Sequence, residues 1–355
     1  MKQKHAFPYK WTLKDAVFTK DKGKVFSCFA CGGGSTMGYK LAGFDVIGCN
    51  EIDPKMMEAY KANHNPKYSY LEPIQTFKLR DDLPDELYNL DILDGSPPCS
   101  SFSMAGNRES DWGKEKVFRE GQAEQVLDTL FFDFIDLAKK LQPKVVIAEN
   151  VKGLLLGEAK QYVIQIYREL EAAGYYVQHW LLDASKMGVP QRRERVFFIA
   201  LRKDLAEQFL TQVDLFTIAP KLKLEFYEPE IPFGDFADNC DLEVKKNTVV
   251  SDYWNKVNEG QSFSIAHEKG SYFGDYKENL NKPLGTIIAE PNHGGWHPFI
   301  QRMLNQKELM SGGAYPIDYN FKGIKTKYLI GMSVPPVMTA QIAKQVHEQW
   351  LSKLL

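Results

Sequence analysis

Through the first half of the chain, short apolar and β-branched runs alternate with longer stretches in which apolar side chains recur at helical spacing. Residues 24–29 read as a strand running into Cys31-Gly32-Gly33-Gly34, and 35–42 as a short helix with Met37 and Leu41 on one face. A second strand, 45–49, ends at Asn50-Glu51, and a helix over 54–63 follows. Residues 90–93 form a strand that stops at Asp94-Gly95-Ser96-Pro97-Pro98-Cys99. A long amphipathic helix is predicted over 122–141 and a strand over 144–148, leading into Glu149-Asn150. A helix over 162–173 and a strand over 195–201 complete the run. Such alternation predicts an α/β architecture built on a mostly parallel sheet with crossover helices.

The pattern changes after about residue 203. Residues 205–281 carry many aromatic, proline and acidic positions without strand–helix alternation, and read as a smaller, irregular lobe. Order returns near Pro283, and 339–354 again shows a helical apolar period. Four segments result: a large α/β domain over 1–203, the small lobe over 204–283, a hinge segment over 284–324, and a tail over 325–355 expected to pack back onto the first domain.

Composition sets bounds. With 355 residues, 44% hydrophobic and 25% charged, the chain can bury one large core and a lesser one. No apolar run approaches the roughly 20 residues that span a bilayer. The basic N-terminus lacks the apolar stretch of a signal peptide, so a cytoplasmic location without a membrane partner is expected. The net charge of −2 leaves nucleic acid open, because basic residues can be confined to one cleft. Five cysteines at irregular spacing (Cys28, Cys31, Cys49, Cys99 and Cys240) do not look like a disulfide framework. No second pair completes a zinc set with Cys28 and Cys31, and Gly294, Gly295 and Pro298 break any helix joining His293 to His297, so no metal is expected.

Three places carry candidate chemistry. Glycines after the first strand let the backbone approach a ligand, and the following helix offers free N–H groups. Glu51, at the end of the next strand, is placed to take both ribose hydroxyls of an adenosine. The turn is not a clean G-x-G-x-x-G, because Met37 holds the last glycine position counted from Gly32; NAD and S-adenosylmethionine both remain open. Farther on, two prolines stiffen the chain past a strand end and point Cys99 over the sheet's carboxyl edge, where Glu149 should also emerge. A lone cysteine is commonly a small buried hydrophobe, and the neighbouring carboxyl group is what favours a nucleophile. The run Gln191-Arg192-Arg193-Glu194-Arg195, in isolation a salt-bridged turn, becomes a candidate for binding phosphate or a base carbonyl beside that pair.

Together these motifs resemble the C5-cytosine DNA methyltransferase family, in order along most of the chain. Phe29-Ala30-Cys31-Gly32-Gly33-Gly34 resembles F-A-G-x-G-G, Asn50-Glu51-Ile52-Asp53 the acidic strand end, and Pro98-Cys99-Ser100-Ser101-Phe102-Ser103 P-C-Q-x-F-S. Glu149-Asn150-Val151 matches E-N-V, and 191–195 matches Q-x-R-x-R. Late in the chain, Gly331-Met332-Ser333-Val334-Pro335-Pro336 resembles G-N-x-V-P-P, after Pro283-Leu284-Gly285-Thr286.

The resemblance implies a Rossmann-like methyltransferase domain and a target-recognition lobe over 204–283. The reaction implied is methyl transfer from S-adenosylmethionine to carbon 5 of a cytosine flipped out of double-stranded DNA. Cys99 would attack carbon 6, Glu149 would protonate or hydrogen-bond ring N3, Arg195 would reach the base O2, and Arg193 would arrange the site and a nearby phosphate. The cofactor would rest on Phe29, Cys31, Gly32, Gly33, Gly34, Glu51, Ile52, Glu72, Pro98, Met332 and Ser333. Ser101, Ser103, Arg108 and Gln191 would contact substrate. The polar stretch 100–120, with Gly106, Gly113, Lys114, Lys116 and Arg119, reads as a basic lid or a plain surface loop. In the acidic small lobe, Lys245, Lys246, Asn247, Lys256 and His267 are candidates for DNA contact. Action as a monomer and a cognate restriction endonuclease encoded nearby fit the same family.

Departures stand beside the matches. Cys31 replaces a glycine, which tests whether that position needs positive φ, and Ser100 replaces the usual glutamine. Glu72 is only the nearest counterpart of the family's adenine-contacting aspartate. Met332 replaces an asparagine, a change that would weaken cofactor binding or admit a modified cofactor. Rival readings are the same chemistry on tRNA, a silent DNA-binding regulator with a decayed cofactor pocket, and a Rossmann oxidoreductase, which gives Cys99 and Glu149 no role.

Overall fold

The computed structural model describes residues 5–98, 115–116, 125–126, 129–157, 159–213, 217–239, 249–272 and 274–354. The chain divides into two compact units, one of 17–182, 194–225 and 342–355, the other of 1–16, 183–193 and 226–341. Among the described residues, no helix is long and apolar enough to cross a membrane.

The first unit is built on a seven-stranded sheet. Its strands are β1 (Lys24–Cys28), β2 (Asp45–Glu51), β3 (Tyr68–Leu71), β4 (Ile92–Gly95), β7 (Val145–Val151), β8 (Tyr175–Asp183) and β9 (Glu194–Arg202). A separate two-residue antiparallel pair, β5 (Glu115–Lys116) and β6 (Gln125–Val126), lies between β4 and β7 in sequence. The sheet order is β3-β2-β1-β4-β7-β9-β8. The pairs β1–β2, β2–β3, β1–β4 and β4–β7 run parallel, and β7–β9 runs antiparallel. The strand order therefore reverses at β1 and β4, a switch point of the kind where α/β sheets bind ligands beyond their carboxyl ends.

Alternation along the strands sorts the sheet's two faces. Phe26, Cys28, Leu93, Val146, Ala148, Val196 and Phe198 join one buried cluster with Leu130, Phe134, Leu137 and Leu141 of α4 (Leu130–Leu141) and Ile166 and Leu170 of α5 (Ala159–Ala172). The α4 positions recur at helical spacing, which is why that helix lies flat on the sheet. Gly95 is small for a visible reason: a Cβ there would stand 2.5 Å from the Phe134 ring.

The other crossovers are α1 (Gly34–Leu41), α2 (Pro54–His64) and the one-turn α3 (Ile74–Phe77). The Asp53 side chain caps α2 by accepting from the N–H groups of Lys55 and Met56, Pro54 opens the helix, and Asn65 ends it at φ +44°. At the far end of the chain, Trp350 is fully buried in this unit and its Nε1 donates to the Lys221 carbonyl at 2.9 Å.

The sequence-predicted elements differ in three places. Strands β3 and β8 were not anticipated: β3 is short and only half-buried, and β8 alternates buried and open positions only weakly. The helix expected over 122–141 begins at Leu130, and Gln125–Val126 is strand. Positions 122–124 and 127–128 lie outside the described residues.

The second unit holds α6 (Val249–Lys256), α7 (Gln306–Gly312) and α8 (Thr326–Met332); α9 (Pro336–Gln349) starts in it and ends in the sheet unit. A capping box opens α7: the Asn305 side chain accepts from Glu308 N–H, and Glu308 accepts from Asn305 N–H. Buried Glu308 is also paired with buried Arg302 at 2.7 Å.

Candidate active site

In the sheet unit, chain leaving β1 turns sharply before α1. Phe29 and Cys31 have φ of +53° and +48°, and Gly33 has +85°. Glycine adopts that region freely and an L side chain at a cost, so Cys31 sits where the sequence comparison placed a glycine. A Cβ on Gly33 would lie 2.2 Å from His64 Nε2. The backbone at Gly33 is thus packed down on α2.

Glu51 ties this turn to β2. Its Oε2 accepts from Cys31 N–H and its Oε1 from Asp53 N–H, at 2.7 and 2.8 Å. The carboxyl group is buried, which raises its pKa, while these backbone donors pull the other way. A pinned carboxylate beside a glycine turn and the first turn of a helix suits an adenosine ribose: each oxygen keeps a lone pair for a hydroxyl. Half-buried Ile52 follows it. Glu72 is engaged elsewhere, its carboxyl oxygens bonded to Arg80 Nη1 and Thr76 Oγ1, both at 2.9 Å. Only its backbone joins the Glu51 region, through Glu72 N–H to the Glu51 carbonyl.

Two strands from β1, the β7 terminus brings up Glu149. In the β7–β9 ladder Val151 faces Arg195 and Glu149 faces Phe197, so Arg195 is one diagonal step from Glu149. Arg195 Nε meets Glu149 Oε1 at 2.9 Å, with side chains only 15% and 12% exposed. Burial lowers the Arg195 pKa and the Glu149 charge opposes that shift. Next to Glu149, buried Asn150 donates from Nδ2 to the Pro97 carbonyl at 3.1 Å. That bond fastens the proline turn just before Cys99 to the end of β7. Pro98 is half-buried beside it. Cys99, Ser101, Ser103 and Arg108 lie outside the described residues, as do Lys245, Lys246 and Asn247. Sequence reasoning passed over Asn150 as a separate actor, although its place after Glu149 was the available signal.

The remaining candidates belong to the second unit. Buried Arg193 spends its guanidinium on three carbonyls: Nη1 donates to Ile287, and Nη2 to Gly331 and Ser333, at 3.1, 2.8 and 3.0 Å. Gly331 fits because a Cβ would stand 2.4 Å from Ala289 N. Buried Gln191 donates to the Gly312 carbonyl and accepts from Ile287 N–H. Both side chains therefore hold the 284–289 stretch in place. Ser333 donates from Oγ to the Leu329 carbonyl, and Met332 is 39% exposed. His293 pairs with buried Asp275, and His297 Nδ1 accepts from Phe299 and Ile300 N–H groups, so each imidazole has a local task.

A family model for C-5 cytosine-specific DNA methylases matches residues 23–348. The chain is 37% identical to the Type II methyltransferase M.FnuDI of Fusobacterium nucleatum over 51% of its own length and 48% of that relative, about half of each. It is 28% identical to M.DdeI of Desulfomicrobium norvegicum, over 91% of this chain and 88% of the other. Among solved structures, a DNA modification methyltransferase from an E. coli prophage superposes with a TM-score of 0.64 at 19% identity, covering 92% of this chain and 99% of that one. A DNMT2 mutant from Spodoptera frugiperda gives 0.58 at 20% identity, covering 91% and 99%.

Proposed function

The chain belongs to the C-5 cytosine-specific DNA methylases, and we propose that it transfers a methyl group from S-adenosylmethionine to carbon 5 of a cytosine flipped from double-stranded DNA. The observation that carries the reading is the Glu149–Arg195 pair at the carboxyl edge of the sheet, with Asn150 holding the turn that leads to Cys99.

Carbon 5 of cytosine is a poor nucleophile until a thiolate adds at carbon 6. In the proposed sequence Cys99 adds there, and Glu149 supplies a proton or hydrogen bond to ring N3 as charge develops. Arg195, already in contact with Glu149, presents its remaining donors to the base O2. Once carbon 5 carries the methyl group, loss of its proton and expulsion of Cys99 restore the aromatic ring. S-adenosylmethionine, when bound, supplies an electrophilic methyl group; Glu51 would hold its ribose, with the Phe29–Gly34 turn alongside. Arg193 and Gln191 are read as positioning residues for the 284–289 stretch and for Met332 and Ser333, which would complete the cofactor contacts. Ser101, Ser103 and Arg108 are proposed to meet the DNA beside the flipped base, and Glu72 to contribute to the adenine pocket through its backbone. Residues 204–283 are proposed as target-recognition lobe. A cognate restriction endonuclease belongs to the same reading, in keeping with the Type II methyltransferases among its relatives, and a cytoplasmic location and monomeric action are proposed with it.

The test is a transfer assay with methyl-labelled S-adenosylmethionine, offering mixed-sequence duplex DNA and tRNA in parallel. Label on cytosine of DNA alone is expected. Label on tRNA alone would move the assignment to RNA, and label on neither would favour a silent binding protein.

A further inference from the structure

Asp275 is 1% exposed, and three N–H groups converge on its carboxyl group. Oδ1 accepts from Trp296 Nε1 at 2.9 Å and from Gly294 N–H at 3.2 Å, and Oδ2 from His293 Nδ1 at 2.6 Å. The His293 side chain is nevertheless 42% exposed. Its carbonyl is held in turn by Lys327 Nζ. A buried acid, fixed by an indole and a backbone N–H, thus sets the orientation of a ring at the surface. It also sets the tautomer: with Nδ1–H committed to the carboxyl group, the neutral ring presents Nε2 as a lone-pair acceptor.

His267 has the opposite arrangement. Its Nδ1 accepts from the N–H groups of Lys269 and Ser271, at 3.1 and 3.2 Å, so the ring hydrogen sits on Nε2, a donor. Both imidazoles pack against Tyr272, whose ring centroid lies 5.4 Å from that of His267 and 6.1 Å from that of His293. Tyr253 adds a ring 5.3 Å from Tyr272 and 5.5 Å from His267. Tyr272 holds φ at +63°, which an L residue adopts at a cost and which is met most often where a side chain has a task. All four rings are half-buried, and neither Nε2 has a hydrogen-bond partner among the described residues. From 250 to 272 the chain carries Asp252, Glu259 and Glu268 against Lys256 and Lys269, a balance that does not gather phosphates. A neutral acceptor and a neutral donor beside an aromatic ring match a base-pair edge instead, which carries both kinds of group.

We propose that His293, oriented by Asp275, reads the sequence of the DNA target: its Nε2 accepts an exocyclic amino hydrogen from an adenine or cytosine edge in the major groove, beside the His267 donor and the Tyr272 ring. The inference rests on the reading of the chain as a methyltransferase of double-stranded DNA. Every base pair shows one such amino group in that groove, and its place among the neighbouring acceptors distinguishes A·T from T·A and G·C from C·G. An acceptor fixed from behind discriminates because a wrong edge sets it against a carbonyl oxygen or a methyl group and leaves it unpaired.

The experiment methylates a mixed-sequence duplex library with wild type and with His293→Asn, sequences the methylated sites, and measures kcat and KM on the site that wild type prefers. Asn sets an amide near the place of Nδ1, so Asp275 keeps a donor while the outward-reaching group is lost. Discrimination is expected to fall about tenfold or more at one base-pair position and to hold at the others. KM should rise with kcat within about twofold. At that position a base analogue without the exocyclic amino group should cost wild type a similar factor and His293→Asn nothing further. Thermal melting checks folding. Should His293→Asn not fold, Asp275→Asn decides: its amide N–H facing Nδ1 moves the ring hydrogen to Nε2, and the preferred base at one position should change. A folded variant with the wild-type site profile and KM, a fall in kcat shared by all sites, or an analogue penalty equal in both proteins would overturn the inference and leave the methyl-transfer reading standing. A wild type that methylates no duplex would defeat that reading, and the inference with it.

Discussion

At Cys31 the backbone has φ +48°, in the region that favours glycine, while Cys31 Sγ lies 3.6 Å from Met56 Sδ. Replacing Cys31 by Gly should relieve strain of about 1–2 kcal/mol, partly offset by the freer unfolded chain. The expected result is a gain of up to about 1 kcal/mol in urea unfolding, and a loss would mean that the sulfur contact outweighs the strain. Gly33→Ala should act oppositely, because it combines φ +85° with a Cβ 2.2 Å from His64 Nε2. A destabilisation of about 2 kcal/mol or more is expected, with loss of the thermal shift produced by S-adenosylmethionine. An unchanged melting temperature would show that α2 gives way easily. The glycines, Glu51 and Glu149 were legible in the sequence because their types are tied to backbone or charge requirements. Asp94 and Tyr39 were not, since a hydrogen bond between residues 55 apart leaves no local pattern.

Pairing of β7 with β9 is what turns two motifs distant in sequence into one site. Sequence reading had each motif at the edge of a strand, but not that the two strands are antiparallel neighbours, which sets Arg195 diagonal to Glu149. Arg195→Ala should leave the Glu149 carboxylate buried without its cation, at a cost of about 3 kcal/mol in stability and with activity lost. A fully stable Arg195→Ala protein would mean that water reaches Glu149. Asn150→Ala tests the same edge from the other side. Freeing the Pro97 carbonyl should lower kcat by tenfold or so through misplacement of the nucleophile turn, with cofactor affinity unchanged; equal kcat would deny Asn150 that task. The long central strands and the 130–141 part of the expected helix were legible because they bury continuous or helically spaced apolar surface. Strands β3 and β8, at the sheet's two edges, carry too weak a pattern to be told from loops.

Across the whole molecule, buried acids and a buried histidine set the pH response. Asp94 and Glu278 are each raised to about 7 by burial, the former also by Glu149. A carboxyl group whose pKa is higher folded than unfolded stabilises the fold below its unfolded value, and loses that contribution as pH rises through about 7. His64, lowered by burial to about 3, works the other way: its contribution is present above the unfolded value near 6.5 and is lost as pH falls. Melting temperature should therefore fall as pH rises from about 4.5 to about 7, offset in part by His64 below about 6.5, and level off above that, and Asp94→Asn and Glu278→Gln should each flatten that decline. An unchanged slope in both would contradict the assignment of these groups. Most of the α/β architecture could be read from hydrophobic period alone. The segments 1–16, 183–193 and 226–341 are grouped in one unit although they are distant in sequence, and no local pattern marks such a grouping.

The claim on which the account turns is that Cys99 adds to carbon 6 of cytosine. It is tested most directly with duplex DNA in which the target cytosine carries fluorine at carbon 5. Fluorine cannot leave as the ring proton does, so the covalent adduct should persist after methyl transfer. With S-adenosylmethionine present, a denaturation-resistant protein–DNA complex is predicted whose mass and peptide map place the link at Cys99, and which Cys99→Ser does not form. Methyl transfer to ordinary cytosine without any such complex, or a complex linked through another residue, would contradict the account.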